Sequence, residues 1–108
     1  MSWTVEFVNA TAEAEVAALP EDMVAQFLRI GDMIRSYGLT RVHEPYAKHL
    51  DGKLWEMRLK GRDGIARSIY VAASGQRVVV LRTFVKKTQK TPRREMDIAL
   101  SRLKEMRP

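Results

Sequence analysis

Three apolar-rich runs, 54–60, 67–73 and 77–85, constrain the fold of this chain more than any other feature of its sequence. They are separated only by the sequences Gly61-Arg62-Asp63-Gly64 and Ser74-Gly75-Gln76, which are rich in residues that tight turns favour. Connections this short join strands that run in opposite directions. The sequence therefore predicts an antiparallel β-meander.

The first of these runs alternates between apolar and charged side chains. Successive side chains of a strand point to opposite faces, so residues two apart share a face. One face is expected to carry Trp55, Met57 and Leu59, and the other Leu54, Glu56, Arg58 and Lys60. The continuous apolar stretch Val78–Leu81 instead predicts a central strand that is covered on both faces.

A strand and a short helix are predicted at the start of the chain. Trp3, Val5 and Phe7 recur at every second position, as in a half-buried strand. Asn9 is a good helix N-cap, and the Ala/Glu-rich segment after it predicts a helix that ends near Leu19. The strand is expected to join the sheet at an edge or beside the last strand.

A second helix is expected to begin with Pro20 in its first turn and to stop at Gly38. Its apolar stripe comprises Val24, Phe27, Leu28, Ile30 and Ile34. The two helices are expected to form an antiparallel hairpin packed on the sheet. Residues 39–52 show no regular pattern; Pro45 breaks regular structure there, and His49 is expected at the surface or in a turn.

A third helix is predicted after the last strand, with Thr91 as N-cap and Pro92 as its first residue. Its apolar stripe comprises Met96, Ala99, Leu100, Leu103 and Met106. This stripe most simply completes the core, although a terminal helix can also detach and present a surface to a partner. The predicted fold is α+β in the order β-α-α-β-β-β-α, with a curved antiparallel sheet, an N-terminal helical hairpin and a C-terminal helix.

Length and composition exclude several classes of protein. A chain of 108 residues predicts a single domain, residues 1–108. No apolar run is long enough to span a bilayer and the first residues lack the pattern of a secretion signal, so a cytoplasmic location without membrane attachment is expected. Cysteine is absent and His43 and His49 are the only histidines, so no disulfide, metal site or cofactor is expected.

The charge of the chain is segregated along the sequence. Residues 1–36 carry two basic and six acidic side chains, residues 37–75 carry seven and four, and residues 76–108 carry ten and three. Segregated positive charge favours an anionic partner, either nucleic acid or an acidic protein. The alternative is a basic surface that only keeps the protein in solution.

A long segment resembles the phage-derived branch of the RelE/ParE toxin superfamily, close to HigB-type toxins: KHLDGKLWEMRLKGRDGIARSIYVAASGQRVVVLRTFVKKTQKTP. The resembling marks are Leu50-Asp51-Gly52, Leu54–Arg58, Arg67–Tyr70 and, most specifically, the string FVKKTQKTP at 84–92. The resemblance implies the toxin of a type II toxin–antitoxin pair. Such toxins cleave mRNA, commonly in the ribosomal A site, and are held inactive by an antitoxin with a helix-turn-helix DNA-binding domain. The toxin alone is not expected to bind a specific DNA sequence.

The resemblance also implies candidate catalytic residues. In metal-free RNA cleavage the ribose 2′-OH attacks the adjacent phosphate, which requires a proton acceptor, a proton donor and positive charge on the phosphorane. Glu56 and Arg58 align with two active-site lysines of RelE, and Arg67 aligns with an active-site arginine. Lys87, in the basic string, is the fourth candidate. Glu56 is expected to be either the proton acceptor or a structural partner of Arg58.

Other basic residues are expected to contact RNA phosphates: Lys86, Lys90, Arg82, Lys53, Lys60 and Arg93. Arg82 stands where relatives often have histidine, and the late catalytic tyrosine of RelE has no match. A regular strand places Arg67 on the face of Ile69 and Val71, so its direction depends on whether a bulge intervenes.

Two other functions are compatible with the sequence. One is a ParE-like non-enzymatic inhibitor of DNA gyrase, which uses the same scaffold, basic residues and a C-terminal helix. The other is an inactive prophage relative, or a domain that serves only in repression with its antitoxin. The string FVKKTQKTP and the charged sheet face favour the nuclease over the gyrase inhibitor.

Overall fold

The computed structural model describes residues 2–106. Its elements are β1 (Thr4–Phe7), α1 (Ala10–Ala17), α2 (Glu21–Tyr37), a 3-10 turn (Leu39–Arg41), β2 (Ala47–Asp51), β3 (Leu54–Gly61), β4 (Gly64–Ala73), β5 (Arg77–Val85) and α3 (Arg93–Leu103). The strands form a sheet in the order β1-β5-β4-β3-β2. The predicted α+β class is confirmed, with β2 as an additional strand. Within the described range, no helix combines the length and hydropathy needed to cross a bilayer.

Strand β2 is the element that the sequence did not predict. It pairs antiparallel with β3, and His49 lies opposite Trp55, but the register shifts between His49 and Asp51. Of its residues only Ala47 is buried, so burial does not alternate along the strand. The edge position and the shifted register remove the period-2 pattern by which a strand is recognised in a sequence.

Strand β1 lies at the edge of the sheet beside β5, as expected. It runs parallel to β5, with Val5 opposite Val78, so the antiparallel pairing expected of the sheet holds for β2 to β5 and not for β1. Strands β2 to β5 pair antiparallel because a short turn connects each of them to the next. No such turn joins β1 to β5, and the intervening helices let the chain return in either direction.

The sheet has an apolar core on each face. The α2-side core includes Phe27, Ile30, Ile34, Met57, Leu59, Tyr70, Val78 and Val80. The α3-side core includes Leu54, Ile69, Val71, Val79, Leu81, Phe84 and Ala99. Because Val78–Leu81 contributes to both cores, the prediction of a strand covered on both faces is confirmed. Helix α1 packs mainly against β5, and α2 packs mainly against β3.

The helix starts are close to those predicted. Asn9 accepts a hydrogen bond from the backbone N–H of Ala12 at 2.8 Å, which confirms it as the N-cap of α1. Pro20 and Pro92 each lie one position earlier than expected, as the residue before the first helical one. Both positions suit proline, since neither requires an N–H within the helix. The shift leaves Thr91 outside α3 and available for another contact.

The buried stripe of α2 differs at its flank from the predicted one. It comprises Met23, Phe27, Ile30, Gly31 and Ile34. Leu28, which was expected in the stripe, is 55% exposed. It follows Phe27 and therefore points about 100° around the helix from it. Gly38 ends α2 with a positive φ of 84°, a conformation that glycine adopts without the strain of a side chain.

A β-bulge in β5 decides where Arg82 points. Tyr70 pairs with Val80, and Ile69 pairs with Arg82, so Leu81 is the additional residue of the bulge. In a regular strand Arg82 would point with Val80 into the α2-side core. The bulge instead turns the guanidinium towards the α3 side, where it can be paired.

A network of ion pairs around Glu15 joins α1, β5 and α3. Arg82 donates to Glu15 at 2.5 Å and to Glu95 at 2.7 Å, and Arg102 donates to both oxygens of Glu15 at 2.8 Å. The backbone N–H of Thr83 also donates to Glu15 at 3.1 Å. Burial raises the pKa of Glu15, but these hydrogen bonds outweigh burial and hold the pKa below its ordinary value of 4.5.

The network predicts a pH-dependent contribution to stability. Because the pKa of Glu15 is lower in the folded protein, its contribution is complete above pH 4.5 and is lost as the pH falls through the folded value. We expect Glu15→Gln to lower the free energy of unfolding at pH 7 by about 1–3 kcal/mol, and to flatten its dependence on pH below the ordinary value. Urea denaturation at a series of pH values measures both effects.

Glu13→Gln is the matched control, because Glu13 is an exposed glutamate on the same helix. Its substitution should change the free energy of unfolding by less than about 0.5 kcal/mol. Equal effects of the two substitutions would contradict a stabilising role of the network.

Candidate functional site

Charged residues of neighbouring strands meet on one face of the sheet. Lys48 lies opposite Glu56, Arg58 opposite Arg67, and Arg67 opposite Phe84. Directly opposite residues share a face, as do Glu56 and Arg58 because they are two apart. Phe84 belongs to the α3-side core, so this is the α3 side of the sheet.

Lys86 extends the same row beyond the end of β5. Its backbone N–H donates to the carbonyl of Ile65 at 2.7 Å, so the pairing of β5 with β4 continues for one more residue. Lys86 is two residues after Phe84 and shares its face. We call the four cations Lys48, Arg58, Arg67 and Lys86 the basic face, and residues 86–91 the basic segment.

The basic face is organised around a buried ion pair. Arg67 is 3% exposed and Glu56 is 1% exposed. The Nε of Arg67 lies 3.0 Å from Oε2 of Glu56, and its Nη1 donates to Oε1 at 3.1 Å. The contact at Nε does not have hydrogen-bond geometry. The pair is therefore held by charge and by one hydrogen bond of its own.

The same ion pair anchors the basic segment to the sheet. Arg67 donates to Oγ1 of Thr91 at 2.5 Å and to the carbonyl of Gln89 at 2.8 Å. The hydroxyl of Thr91 in turn donates to Glu56 at 3.0 Å. Thr91, predicted as a helix cap, instead closes this network. The segment has no regular structure of its own, and these bonds hold it against the face of the sheet that carries Glu56 and Arg67.

The cations of the basic face influence one another. Desolvation, followed by the charges of Arg67 and Arg58, lowers the pKa of Lys86; Lys48 adds to the effect and Glu56 opposes it. Desolvation and Arg58 also lower the pKa of Arg67, again against the influence of Glu56. Positive charge is thus in excess here before any ligand is bound, and an anion would relieve the repulsion.

The exposed part of the site is a shallow depression beside the basic segment. Its volume is about 440 Å³, and it is lined by Ile65, Lys86, Lys87, Thr88 and Gln89. Lys87 and Lys90 are exposed, whereas Lys86 is half-buried. The depression therefore presents the ammonium groups of Lys86 and Lys87, which suit contact with the oxygens of a phosphate.

The structure brings only some of the predicted residues together. Arg82 is engaged by Glu15 and Glu95. Lys53 lines a different pocket with Arg77, near the end of α3. Lys60 is exposed near the end of β3, and Arg93 is exposed and pairs with Asp97 at 3.0 Å.

The direction of Arg67 is settled by the strand itself. It lies on the face of Ile69 and Val71, as a regular strand requires, and Glu56 and Arg58 lie on that same face. No bulge near Arg67 is needed, since the bulge is in β5.

The sequence did not reveal Lys48 as a residue of the site, whereas it correctly predicted that His49 lies at the surface. Lys48 went unnoticed because β2 was not recognised, and the pairing of β2 with β3 would have been the signal for it. His49 contacts the ring of Trp55 and hydrogen-bonds the carbonyl of Gly52 at 2.8 Å in the turn that follows, as a surface histidine. Among residues 2–106, no three His, Cys, Asp or Glu side chains gather in a way that could hold a metal ion.

Removing one partner of the buried ion pair should lower the free energy of unfolding far more than removing one partner of an exposed ion pair. We expect Glu56→Gln to lower the free energy of unfolding by about 3 kcal/mol or more, because Arg67 would remain buried without a counterion. Faster cleavage by trypsin after Lys86, Lys87 and Lys90 should accompany the loss. Urea denaturation and mass-resolved proteolysis measure the two effects.

Glu6→Gln provides the comparison, since Glu6 pairs with Arg77 at 3.4 Å at a position that is 40% exposed. It should cost less than about 1 kcal/mol and leave cleavage of the basic segment unchanged. A Glu56→Gln protein as stable as the Glu6→Gln protein would show that the buried pair does not anchor the segment.

Comparisons with known proteins agree with this architecture. Residues 14–104 match the phage-derived protein Gp49-like family (DUF891). No curated protein matches the sequence. Among solved structures, the chain is similar to a chain of the archaeal RelE–RelB complex from Pyrococcus horikoshii OT3, with a TM-score of 0.60 and 20% identity, over 79% of this chain and 96% of the other. At this identity the likeness establishes a RelE-like fold. The family match spans both cores and the basic face, and the chain therefore belongs to the phage-derived Gp49-like family, a family of the RelE toxin type.

Proposed function

We propose that this protein is the toxin of a type II toxin–antitoxin pair and that it cleaves mRNA on the ribosome by metal-free attack of a ribose 2′-OH. The observation that carries the proposal is the basic face, where four cations surround one carboxylate beside an accessible basic segment. The family and the RelE-like fold support the same conclusion.

We assign the stabilisation of the phosphorane to Arg58 and Lys87, with Lys86 beside them. Charge builds up on the phosphate oxygens as the 2′-OH attacks, and cations held in position stabilise it without having to reorganise. Arg58 is half-buried and its Nε has no hydrogen-bond partner among the described residues. Because that Nε is buried, we assign the contact with a phosphate oxygen to the terminal nitrogens of the half-buried guanidinium.

We assign Glu56 and Arg67 primarily to positioning. The Glu56 carboxylate already accepts hydrogen bonds from Arg67 and Thr91 and is almost fully buried. A proton acceptor must reach the 2′-OH of the substrate, and this burial favours the structural alternative for Glu56. Its partner is Arg67, however, and not Arg58 as was considered from the sequence. Orientation of the RNA by the ribosome would supply much of the remaining rate enhancement.

We propose that a helix-turn-helix antitoxin inhibits the protein by covering the basic face. The similar archaeal protein was solved as a RelE–RelB complex, which supports an inhibitor partner for this chain. Displacement of α3 is the less favoured mechanism, because Arg82, Arg102 and the side chains of the α3-side core all hold that helix.

The proposal predicts that removing accessible cations abolishes toxicity without unfolding the protein. We expect the triple variant Arg58→Gln, Lys86→Gln and Lys87→Gln to permit normal growth and to reduce mRNA cleavage by at least about 100-fold, since it lacks the charge that stabilises the phosphorane. Growth after induction and primer extension on translated mRNA provide the measurements. Arg67 is left intact because its loss would destabilise the fold.

The control carries the same change of charge at Arg29, Arg41 and Lys104, which are exposed on other elements. This control should arrest growth and cleave mRNA like the unmodified protein. Undiminished cleavage by the triple variant would remove the basic face as the site. Absence of cleavage by the unmodified protein together with inhibition of gyrase supercoiling would support the ParE-like alternative, and inactivity in both assays would support an inactive prophage relative.

A further inference from the structure

Lys48 occupies an outer position on the basic face. It lies on the edge strand β2, directly opposite Glu56 and diagonal to Arg58. Diagonal neighbours on one face are about 7–8 Å apart, within reach of long side chains. Lys48 is exposed, and no ion pair within residues 2–106 engages it.

The basic face is a row that crosses the sheet. Lys48, Arg58, Arg67 and Lys86 belong to β2, β3, β4 and the end of β5 in turn. Neighbouring strands are about 4.8 Å apart, so the row spans roughly 14 Å across the sheet. Its ends are also offset along the strands, because Lys48 lies opposite Glu56 whereas Lys86 lies beside Ile65. Phosphates of one strand follow each other every ~3.4 Å along a stacked helix, and the row is therefore long enough for more than one phosphate.

Within residues 2–106, one cation of this row is paired with a carboxylate. Glu56 is held by Arg67, which leaves Lys48, Arg58 and Lys86 without a carboxylate partner among the described residues. The influence of Lys48 on Lys86 shows that charge at the β2 edge reaches the basic segment. Uncompensated charge thus continues from the basic segment to the outer edge of the sheet.

We propose that Lys48 forms an outer subsite that binds a phosphate of single-stranded RNA at least one nucleotide away from the phosphate held by Arg58 and Lys87. The RNA then crosses the sheet from the basic segment towards the β2 edge. This inference rests on the proposed function and adds to it a direction for the substrate and a minimum length for tight binding.

The test compares binding of two RNA probes. Labelled 2′-O-methyl RNA, which cannot undergo attack by a 2′-OH, is titrated as a hexanucleotide and as a dinucleotide by fluorescence anisotropy at several salt concentrations. We expect Lys48→Ala to weaken binding of the hexanucleotide about fivefold at low salt. It should also reduce the salt slope of that binding by about 0.7. Binding of the dinucleotide, which is too short to reach the subsite, should stay unchanged.

Lys104→Ala serves as the control, because Lys104 is an exposed lysine at the far end of α3. It should bind both probes like the unmodified protein, and circular dichroism verifies that both variants are folded. Unchanged hexanucleotide binding by Lys48→Ala would overturn the subsite while leaving the proposed function intact.

Two other outcomes would also contradict an outer subsite at Lys48. An equal loss for both probes would place Lys48 at the cleaved phosphate and overturn an outer subsite. Failure of the unmodified protein to bind either probe would overturn the subsite together with RNA binding by the isolated protein. Cleavage of translated mRNA, measured separately, then reports on the proposed function itself.

Discussion

The buried ion pair between Glu56 and Arg67 is the interaction on which the arrangement of the basic face depends. Taking two charges out of water is costly, and the cost is offset only if hydrogen bonds satisfy the remaining polar atoms. Here Thr91 and the carbonyl of Gln89 provide part of those bonds, while Nε of Arg67 and Oε2 of Glu56 face each other at 3.0 Å without one. Because both belong to the basic segment, the requirement to satisfy a buried arginine also holds the segment against the sheet. The same buried interaction therefore stabilises the fold and fixes the geometry of the proposed site.

The cations of this protein divide into two groups with different roles. Arg67, Arg82 and Arg102 are paired with carboxylates and hold elements together. Lys48, Arg58, Lys86 and Lys87 have no carboxylate partner within residues 2–106 and lie on or beside the basic face. The first group neutralises positive charge where it lies within or against the core. The second group supplies the field that would attract a ribose-phosphate chain.

Much of the fold followed from local patterns, whereas the site depended on pairings that local patterns do not contain. The meander was predictable because tight turns and alternation specify neighbouring strands and their faces, which placed Glu56 and Arg58 together. Strand β2 was missed because an edge strand with a shifted register has no regular alternation. The direction of Arg82 was equally hidden, since a bulge at Leu81 changes the face of every residue after it.

By itself, the sequence determined the α+β class, the meander, the N-cap at Asn9, the start of a helix near Pro92, and the concentration of positive charge in the last third of the chain. These features depend on residues close together in the chain, so short-range periodicity and composition reveal them. Only the tertiary structure decided that Arg67 binds Glu56 and Thr91, that Arg82 belongs to the Glu15 network, and that Lys48 joins the basic face. Each of those contacts joins residues far apart in sequence. The fold brings carboxylates to some cations, and the cations that receive none remain available to a ligand.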